Sequence, residues 1–214
     1  MKSEQSLEQL LVGKRLLIFD FDGTIADTSP LHASAFTQVL APLGVPVDYS
    51  SIAGMSTGDA LRMLFSQNGR ELPPALLAEL VSRKQSMVRD MISSHLLPMP
   101  HVDDFLRWAR SRYRLSVATS GSRGTVRLAL AALGYEDWFD PVVCADDVLR
   151  SKPHPDVFLA VLRLTQTAAV EALVFEDSDT GIAAAAAASL RACDVRLGAF
   201  AQRAWNEHND DRRE

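Results

Sequence analysis

The feature of this sequence that most constrains its fold is a set of short, continuous apolar runs, each ending in small or polar residues. Runs of this length, spaced by helical patterns, are typical of strands that are buried on both faces of a parallel sheet. Four runs are clear and a fifth is weaker: 16–19, 115–118, 141–144, 172–175 and 192–195. Helical patterns separate the later runs, at 122–133, 155–164 and 179–188. The chain is therefore expected to form an α/β sheet with ligands at the carboxyl ends of its strands.

The stretch between the first and second runs is too long for a single crossover helix. It shows three helical patterns and no convincing strand, at about 31–43, 57–67 and 73–95. Prolines at positions 30, 98 and 100 punctuate its two ends. We therefore predict a core domain made of residues 1–28 and 99–214, with a helical cap of residues 29–98 inserted after the first strand. Two linkers beside a site at the strand ends would let this cap act as a lid.

Composition excludes several classes of protein. The 214 residues correspond to one to one-and-a-half domains of ordinary size. No run of about 18 apolar residues is present, and the first residues lack the apolar core of a signal peptide. With 22 basic and 27 acidic residues, the net charge of −5 disfavours a nucleic-acid partner. Two cysteines are too few for a disulfide framework and suit a reducing cytoplasm. We expect a cytoplasmic protein with neither a membrane nor a nucleic-acid partner.

Carboxylates follow two of the predicted strands. Asp20 and Asp22 end the first strand, where side chains two positions apart point the same way, and Gly23 allows a sharp turn directly after them. Glu176 and Asp177 end the fourth strand. If the sheet is parallel, these four carboxylates converge and need either a proton or a cation among them. Oxygen ligands of this kind favour Mg²⁺. Either motif alone would also suit surface aspartates that cap helices.

Two further segments favour an anionic ligand. Thr119, Ser120 and Gly121 follow the second strand and precede a helix, where hydroxyl and amide groups can bind an anion. Lys152 follows the third strand beside two prolines, and it could neutralise a phosphoryl oxygen. Carboxylates, a metal, an anion cradle and a lysine together are typical of phosphoryl transfer.

These four motifs resemble those of the haloacid dehalogenase superfamily, in its Mg²⁺-dependent phosphohydrolase branch. The resemblance covers residues 14–197 and rests on DFDGT at 20–24, Thr119, Lys152 within KPHPD, and FEDSDTG at 175–181. It implies an α/β core with a Rossmann-like parallel sheet and an inserted helical-bundle cap.

The resemblance also implies a role for each motif residue. Asp20 would be the nucleophile that forms an aspartyl-phosphate, and Asp22 would protonate the leaving oxygen and then activate water. The metal ligands would be Asp20, the Asp22 backbone carbonyl and Asp177, with Glu176 either a further ligand or an anchor nearby. Thr119 and Lys152 would hold the phosphoryl group, with contributions from Gly23, Ser120 and Gly121.

Within the superfamily the chain is most similar to the β-phosphoglucomutase and sugar-phosphatase group, and especially to fructose-1-phosphate phosphatases. DTSPLHASAF at 27–36 and ELVSRKQSMVRDMI at 79–92 carry this likeness and add His32 and Lys84 to the candidate substrate-binding residues. His32 could be a structural hydrogen-bonding group or could couple cap closure to the site. Mutases of this group carry a cap arginine where this chain has Thr57, and a mutase needs that positive charge to hold a second phosphate.

We therefore expect a Mg²⁺-dependent phosphatase that hydrolyses a small sugar phosphate, as a monomer or weak dimer. Three alternatives remain. A β-phosphoglucomutase would transfer the phosphoryl group between two positions of glucose. A haloacid dehalogenase would need neither Asp22 nor a metal. A non-catalytic phosphosugar-binding protein need not keep all four motifs.

Overall fold

The computed structural model describes residues 6–201, except for the side chains of residues 93–95. Five strands form a single sheet: Leu16–Phe19 (β1), Arg114–Ala118 (β2), Val142–Val143 (β3), Ala172–Glu176 (β4) and Arg191–Asp194 (β5). The helices are Leu7–Leu11 (α1), Ser29–Leu40 (α2), Thr57–Gln67 (α3), Pro74–His95 (α4), Val102–Ala109 (α5), Arg123–Ala132 (α6), Asp156–Thr165 (α7) and Asp179–Ala187 (α8).

All neighbouring strands of the sheet run parallel, in the order β3-β2-β1-β4-β5. In β1, Leu16 is paired with Arg114 of β2 on one side and with Ala172 of β4 on the other. β2 and β3 lie on one side of β1, and the chain then crosses over so that β4 and β5 lie on the other side. Loops at the carboxyl ends of β1 and β4 therefore diverge at a switch point, which is where α/β sheets bind their ligands.

Alternate residues of the central strands enter two different hydrophobic clusters because successive side chains point to opposite faces. Leu17 and Phe19 pack with α5 and α6, and the Phe19 ring stacks on Phe175 with centroids 4.8 Å apart. Leu16 and Ile18 pack with α7 and α8 on the other face. Burial on both faces explains why these strands are continuous apolar runs.

Helices α2, α3 and α4 enclose a third hydrophobic cluster, which includes Phe36, Leu61 and Leu80. The two segments that lead into and out of this helical cap lie side by side. The backbone N–H of Asp27 donates to the carbonyl of Leu97, with 2.9 Å between nitrogen and oxygen. The predicted division at residues 28/29 and 98/99 remains a prediction, but the helical cap and the parallel sheet confirm the expected fold class.

The sequence analysis predicted all five strands and the six longer helices to within a few residues. It did not predict α1 or α5. The signal for α5 was present, because Val102, Phe105, Leu106 and Ala109 follow helical spacing and are all buried. Among residues 6–201 there is no helix with the length and apolar character that crossing a membrane requires. The predicted tail of the core domain, residues 202–214, lies outside the described residues.

Candidate active site

The loop after β1 brings its carboxylates to the switch point through a tight turn. The backbone N–H of Asp20 continues the pairing of β1 with β4 by donating to the Phe175 carbonyl at 2.9 Å. Gly23 has a φ of +82°, and a Cβ added there would lie only 2.1 Å from Asp177 Oδ2. Glycine at this position therefore lets the β1 loop approach the β4 loop closely enough to share a site.

The loop after β4 positions Glu176 through a network of hydrogen bonds. Glu176 Oε2 accepts from the backbone N–H of Ser178 at 2.7 Å and from its hydroxyl at 2.9 Å. A Cβ at Gly181 would lie 1.7 Å from Glu176 Oε1, so the start of α8 must also be free of a side chain there. These contacts occupy one carboxylate oxygen and fix the direction of the other.

Lys152 links the two acidic loops. Its Nζ donates to Asp20 Oδ1 at 2.5 Å and to Glu176 Oε1 at 2.6 Å, and all three side chains are buried. Burial lowers the pKa of Lys152, but Asp20 and Glu176 outweigh this and raise it well above the usual range. Lys152 is therefore a permanent cation that holds the nucleophile candidate in place.

The single positive charge of Lys152 does not balance the negative charges of the three carboxylates that meet here. Oxygens of Asp20, Glu176 and Asp177 lie within 4.8 Å of one another. Burial raises the pKa of Asp20 against the opposing effect of Lys152, and burial together with Glu176 raises the pKa of Asp177 to about 6. Elevated pKa values mark carboxylates that lack sufficient positive charge. The donor set therefore fits a hard divalent cation such as Mg²⁺.

Asp22 is engaged differently from the other carboxylates of the site. Its Oδ1 accepts from the Thr28 hydroxyl at 2.6 Å and lies 3.3 Å from His32 Nε2. Burial raises the pKa of Asp22, but His32, Thr28 and Lys84 outweigh it and lower the pKa to about 2. The Asp22 side chain is thus directed to the cap helix α2 and is not one of the clustered carboxylates.

The segment after β2 presents the expected hydroxyl groups. Ser120 Oγ is buried and has no hydrogen-bond partner among residues 6–201. Two amides of this segment are already engaged: Gly121 N–H donates to Thr119 Oγ1 at 2.9 Å, and Arg123 N–H donates to Asp146 Oδ2 at 2.6 Å. Since Thr119 Oγ1 accepts from Gly121, its own proton remains for an anion, as does that of Ser120.

The cap contributes a buried lysine to the opposite side of the same cavity. Lys84 Nζ lies 2.5 Å from His32 Nδ1, 3.4 Å from Thr57 Oγ1 and 4.5 Å from the centroid of the Phe36 ring. Burial lowers the pKa of Lys84 to about 8, against a smaller opposing effect of Asp22. This lysine has no carboxylate within ion-pair distance among the described side chains.

Cap and core enclose a cavity between these groups, of about 610 Å³ including its opening to solvent. We call Asp20, Asp22 and residues 119–121 the core wall. We call the residues from α2, α3, α4 and the loop between α2 and α3 the cap wall; among them are Phe36, Tyr49, Met55, Thr57, Lys84 and Gln85. The core wall and the cap wall therefore face each other across this cavity.

A direct contact also joins the cap to the acidic β4 loop. Gly54 has a φ of +76°, and a Cβ there would lie 2.5 Å from both Ser178 Oγ and Thr180 Oγ1. The Thr180 hydroxyl donates to the carbonyl of Ala53 at 3.4 Å. The structure therefore holds the cap against the same serine that anchors Glu176.

The structure brings together most of the residues that the sequence analysis proposed. Asp20, Lys152, Glu176 and Asp177 meet at the ends of β1 and β4, and Gly23 lies against them. Asp22, Thr119, Ser120, Gly121, His32 and Lys84 line the cavity. The roles of Ser178 as the anchor of Glu176 and of Gly54 as a contact of the cap with the core were not predicted from the sequence. Ser178 is only two positions from Glu176, and a serine that caps the next helix was the local signal available. The contact of the cap with the core joins segments 127 positions apart and leaves no local signal.

Comparisons with known proteins agree with this geometry. A family model described as haloacid dehalogenase-like hydrolase matches residues 17–195. The chain is 37% identical over 184 residues to fructose-1-phosphate phosphatase YqaB of Escherichia coli (strain K12), covering 85% of this chain and 96% of that protein. It is 30% identical to a phosphorylated carbohydrates phosphatase of Thermotoga maritima, covering 81% of each. The crystal structure of CbbY from Rhodobacter sphaeroides in complex with phosphate superposes with a TM-score of 0.75, at 28% identity and 84% coverage of each chain.

Proposed function

The chain belongs to the haloacid dehalogenase-like hydrolases, and we propose that it is a Mg²⁺-dependent phosphatase that hydrolyses a small sugar phosphate through an aspartyl-phosphate. Fructose 1-phosphate is the sugar phosphate that we expect it to accept best. The observation that carries this proposal is the buried triplet of Asp20, Lys152 and Glu176, with Asp177 beside it. Such a concentration of charge is costly to bury, and clusters of this kind occur mainly at functional sites.

In the first step Asp20 is the nucleophile. Lys152 occupies Asp20 Oδ1, so Oδ2 is the oxygen that attacks phosphorus, while the bond from phosphorus to the sugar oxygen breaks. The hydroxyls of Thr119 and Ser120 donate to the phosphoryl oxygens, and Lys152 offsets part of their charge. Asp22 gives its proton to the departing sugar oxygen.

In the second step Asp22 acts as a base. It takes a proton from a water molecule, which attacks phosphorus and breaks the bond to Asp20, so that inorganic phosphate and the free nucleophile result. A pKa of about 2 keeps Asp22 ionised and ready for this role. For the first step its pKa must rise, and the charge of the bound phosphate acts in that direction.

Asp20, Asp177 and the backbone carbonyl of Asp22 would hold the Mg²⁺ ion. Glu176 would serve mainly as an anchor, since its oxygens already accept from Lys152 and Ser178. When bound, the ion offsets the negative charge of the carboxylates and of the phosphoryl oxygens, which would otherwise repel one another.

The cap wall supports a neutral sugar as the leaving group. Tyr49, Thr57 and Gln85 offer hydroxyl and amide groups suited to sugar hydroxyls, and Phe36 and Met55 offer apolar surface. Lys84, the lysine of the cap wall, already contacts His32. Fructose 1-phosphate fits this description, and the likeness to a fructose-1-phosphate phosphatase supports it.

A β-phosphoglucomutase is the second candidate, because it would use the same core wall. It must also hold a second phosphate against the cap, where this chain has Thr57, and the hydroxyl of Thr57 supplies no positive charge. Introducing a cation through Thr57→Arg should therefore increase affinity for a sugar bisphosphate.

The test is release of inorganic phosphate from a panel of sugar monophosphates and bisphosphates, with Mg²⁺ and with EDTA. We expect release from fructose 1-phosphate that EDTA abolishes and added Mg²⁺ restores. Full activity in EDTA would contradict the metal assignment. Conversion of β-glucose 1-phosphate to glucose 6-phosphate, in the presence of glucose 1,6-bisphosphate and without phosphate release, would establish the mutase instead.

A further inference from the structure

The chain has only four lysines, and the structure describes three of them: Lys14, Lys84 and Lys152. Lys14 lies outside the cavity and donates to the Val170 carbonyl at 2.6 Å. Lys152 is locked between two carboxylates. Lys84 is buried in the cap wall and has an imidazole, a hydroxyl and an aromatic ring as its neighbours. It is thus the one described lysine that reaches the cavity without a carboxylate partner.

Burial of Lys84 increases the share of its neutral amine. It lowers the pKa to about 8, against a smaller opposing effect of Asp22, and His32 Nδ1 lies 2.5 Å from the Lys84 nitrogen. At pH 7.5 about a quarter of such an amine is neutral, compared with about one part in a thousand for a lysine with an ordinary pKa near 10.4. Only the neutral amine has the electron pair that attacks carbonyl carbon.

The neighbours of Lys84 also direct that electron pair. His32 Nε2 lies 3.3 Å from Asp22 Oδ1, and in the tautomer that carries its proton on Nε2 the other ring nitrogen, Nδ1, is an acceptor. The amine then donates an N–H to Nδ1 across 2.5 Å and keeps its own electron pair free. The same cavity holds the Thr119 and Ser120 hydroxyls, which can bind a phosphate group at its other wall.

We propose that the Lys84 amine forms a reversible imine with the aldehyde or ketone group of small phosphate-bearing compounds that enter this cavity. The nitrogen attacks the carbonyl carbon, the π bond to oxygen breaks, and one nitrogen proton passes to that oxygen. The second nitrogen proton then passes to the same oxygen, the remaining carbon–oxygen bond breaks, water leaves, and a carbon–nitrogen double bond remains. No oxidant or reductant takes part. The adduct would block the site, so open-chain carbonyl phosphates would be slow, reversible inhibitors as well as ligands.

The selectivity for phosphate-bearing compounds rests on the proposed function, because it uses the same anion-binding hydroxyls. The reactivity of the Lys84 amine is independent of the proposed function. A test must therefore compare a phosphorylated aldehyde with its unphosphorylated counterpart, and must measure phosphate release separately.

The probes are glyceraldehyde 3-phosphate and glyceraldehyde, each with cyanoborohydride, which reduces an imine to a stable secondary amine. Asp20→Asn protein with Mg²⁺ is used, so that the phosphate is not removed during labelling. Mass spectrometry of peptides then locates the label among the four lysines, Lys2, Lys14, Lys84 and Lys152, and the N-terminal amine, which is also reactive near neutral pH. We expect labelling of Lys84 by glyceraldehyde 3-phosphate at least tenfold faster than that of Lys14.

The matched control is Asp20→Asn with Lys84→Arg, which keeps a cation in the cap wall but cannot form an imine. We expect this double variant to remain folded, as judged by circular dichroism, and the peptide that contains position 84 to carry no label. Label confined to the N-terminal amine and the lysines other than Lys84 would overturn the proposal, and so would equal labelling of Lys84 by the two aldehydes. Phosphate release by the wild type decides the proposed function independently, since it needs no reaction at Lys84.

Discussion

The two walls of the cavity each depend on a buried lysine, and the two lysines have opposite surroundings. Lys152, behind the core wall, donates to Asp20 and Glu176, and these carboxylates raise its pKa. Lys84, in the cap wall, contacts His32 and Thr57, and burial lowers its pKa. The core wall is thus built from fixed charges, whereas the described residues of the cap wall include no carboxylate that would fix the charge of its lysine.

This difference matches the two halves of a phosphate ester. The phosphoryl group carries the charge and is attacked, so it needs positioned charges of both signs. A sugar leaving group is neutral and needs hydroxyl and amide partners with some apolar contact. The comparison also shows that burial alone does not decide the charge state of a lysine: the two carboxylates outweigh it at Lys152, whereas at Lys84 burial outweighs the effect of Asp22.

The strongest test of the core wall is Asp20→Asn. An amide cannot attack phosphorus, so we expect kcat to fall by roughly 10⁴-fold or more, the scale seen when a nucleophile is removed. Asp179→Asn is the matched control, because that side chain is 89% exposed and pairs only with Arg196 in the described part of the chain. Phosphate release and thermal unfolding are measured for both. Substantial turnover by Asp20→Asn would exclude it as the nucleophile.

Lys152→Met tests whether the core lysine balances charge. It leaves Asp20 and Glu176 buried without their cation, which we expect to lower the free energy of unfolding by about 3–5 kcal/mol. In a double variant, Glu176→Gln removes one of the two unpaired charges and should recover part of the lost free energy of unfolding. Urea unfolding of the single and double variants measures this. An unfolding free energy equal to wild type would contradict the assignment of a buried ion triplet.

Lys84→Met should have the opposite effect on stability. Below pH 8 the folded protein keeps Lys84 charged at a cost, because its pKa is about 8 when folded and 10.5 when unfolded. The variant should therefore be more stable than wild type at pH 7, by up to about 3 kcal/mol. As the pH rises from 8 towards 10.5 the wild type loses this proton and the difference should shrink. A pH-independent difference would show that the pKa of Lys84 is not lowered.

Gly54→Ala tests the contact of the cap with the core. A side chain there is disfavoured by the positive φ and would meet Ser178, so we expect a cost of about 1–2 kcal/mol. Because the contact belongs to the arrangement in which the cap meets the core, kcat/KM should fall roughly tenfold for a cost of this size. Gly58→Ala, at an unstrained position in α3, should instead leave kcat/KM unchanged. Equal kcat/KM values for the two glycine variants would contradict the role assigned to Gly54.

Much of the fold could be predicted because the signals are local. Leu16–Phe19 and Ala172–Glu176 are buried on both faces, and burial of this kind leaves a continuous apolar run that can be read directly. Parallel pairing then requires the residues after these strands to meet at one edge. The helix Val102–Ala109 was missed although its spacing is regular, since eight residues give a weak periodic signal between other elements.

The order of residues along the chain was sufficient to predict the parallel sheet, the helical cap and the meeting of Asp20, Glu176 and Asp177, because each depends on pattern and strand direction. Asp22 was expected to join these carboxylates, but its side chain lies against Thr28 and His32. Only the tertiary structure decided that Glu176 is held by Ser178, that Asp22 turns to Thr28 and His32, and that Lys84 meets His32 from 52 positions away. Hydrogen bonds and pKa values depend on atoms a few ångströms apart. The packing of α4 on α2 within the cap sets the distance from Lys84 to His32. The conformations of the loops after β4 and β1 set the distances from Glu176 to Ser178 and from Asp22 to Thr28.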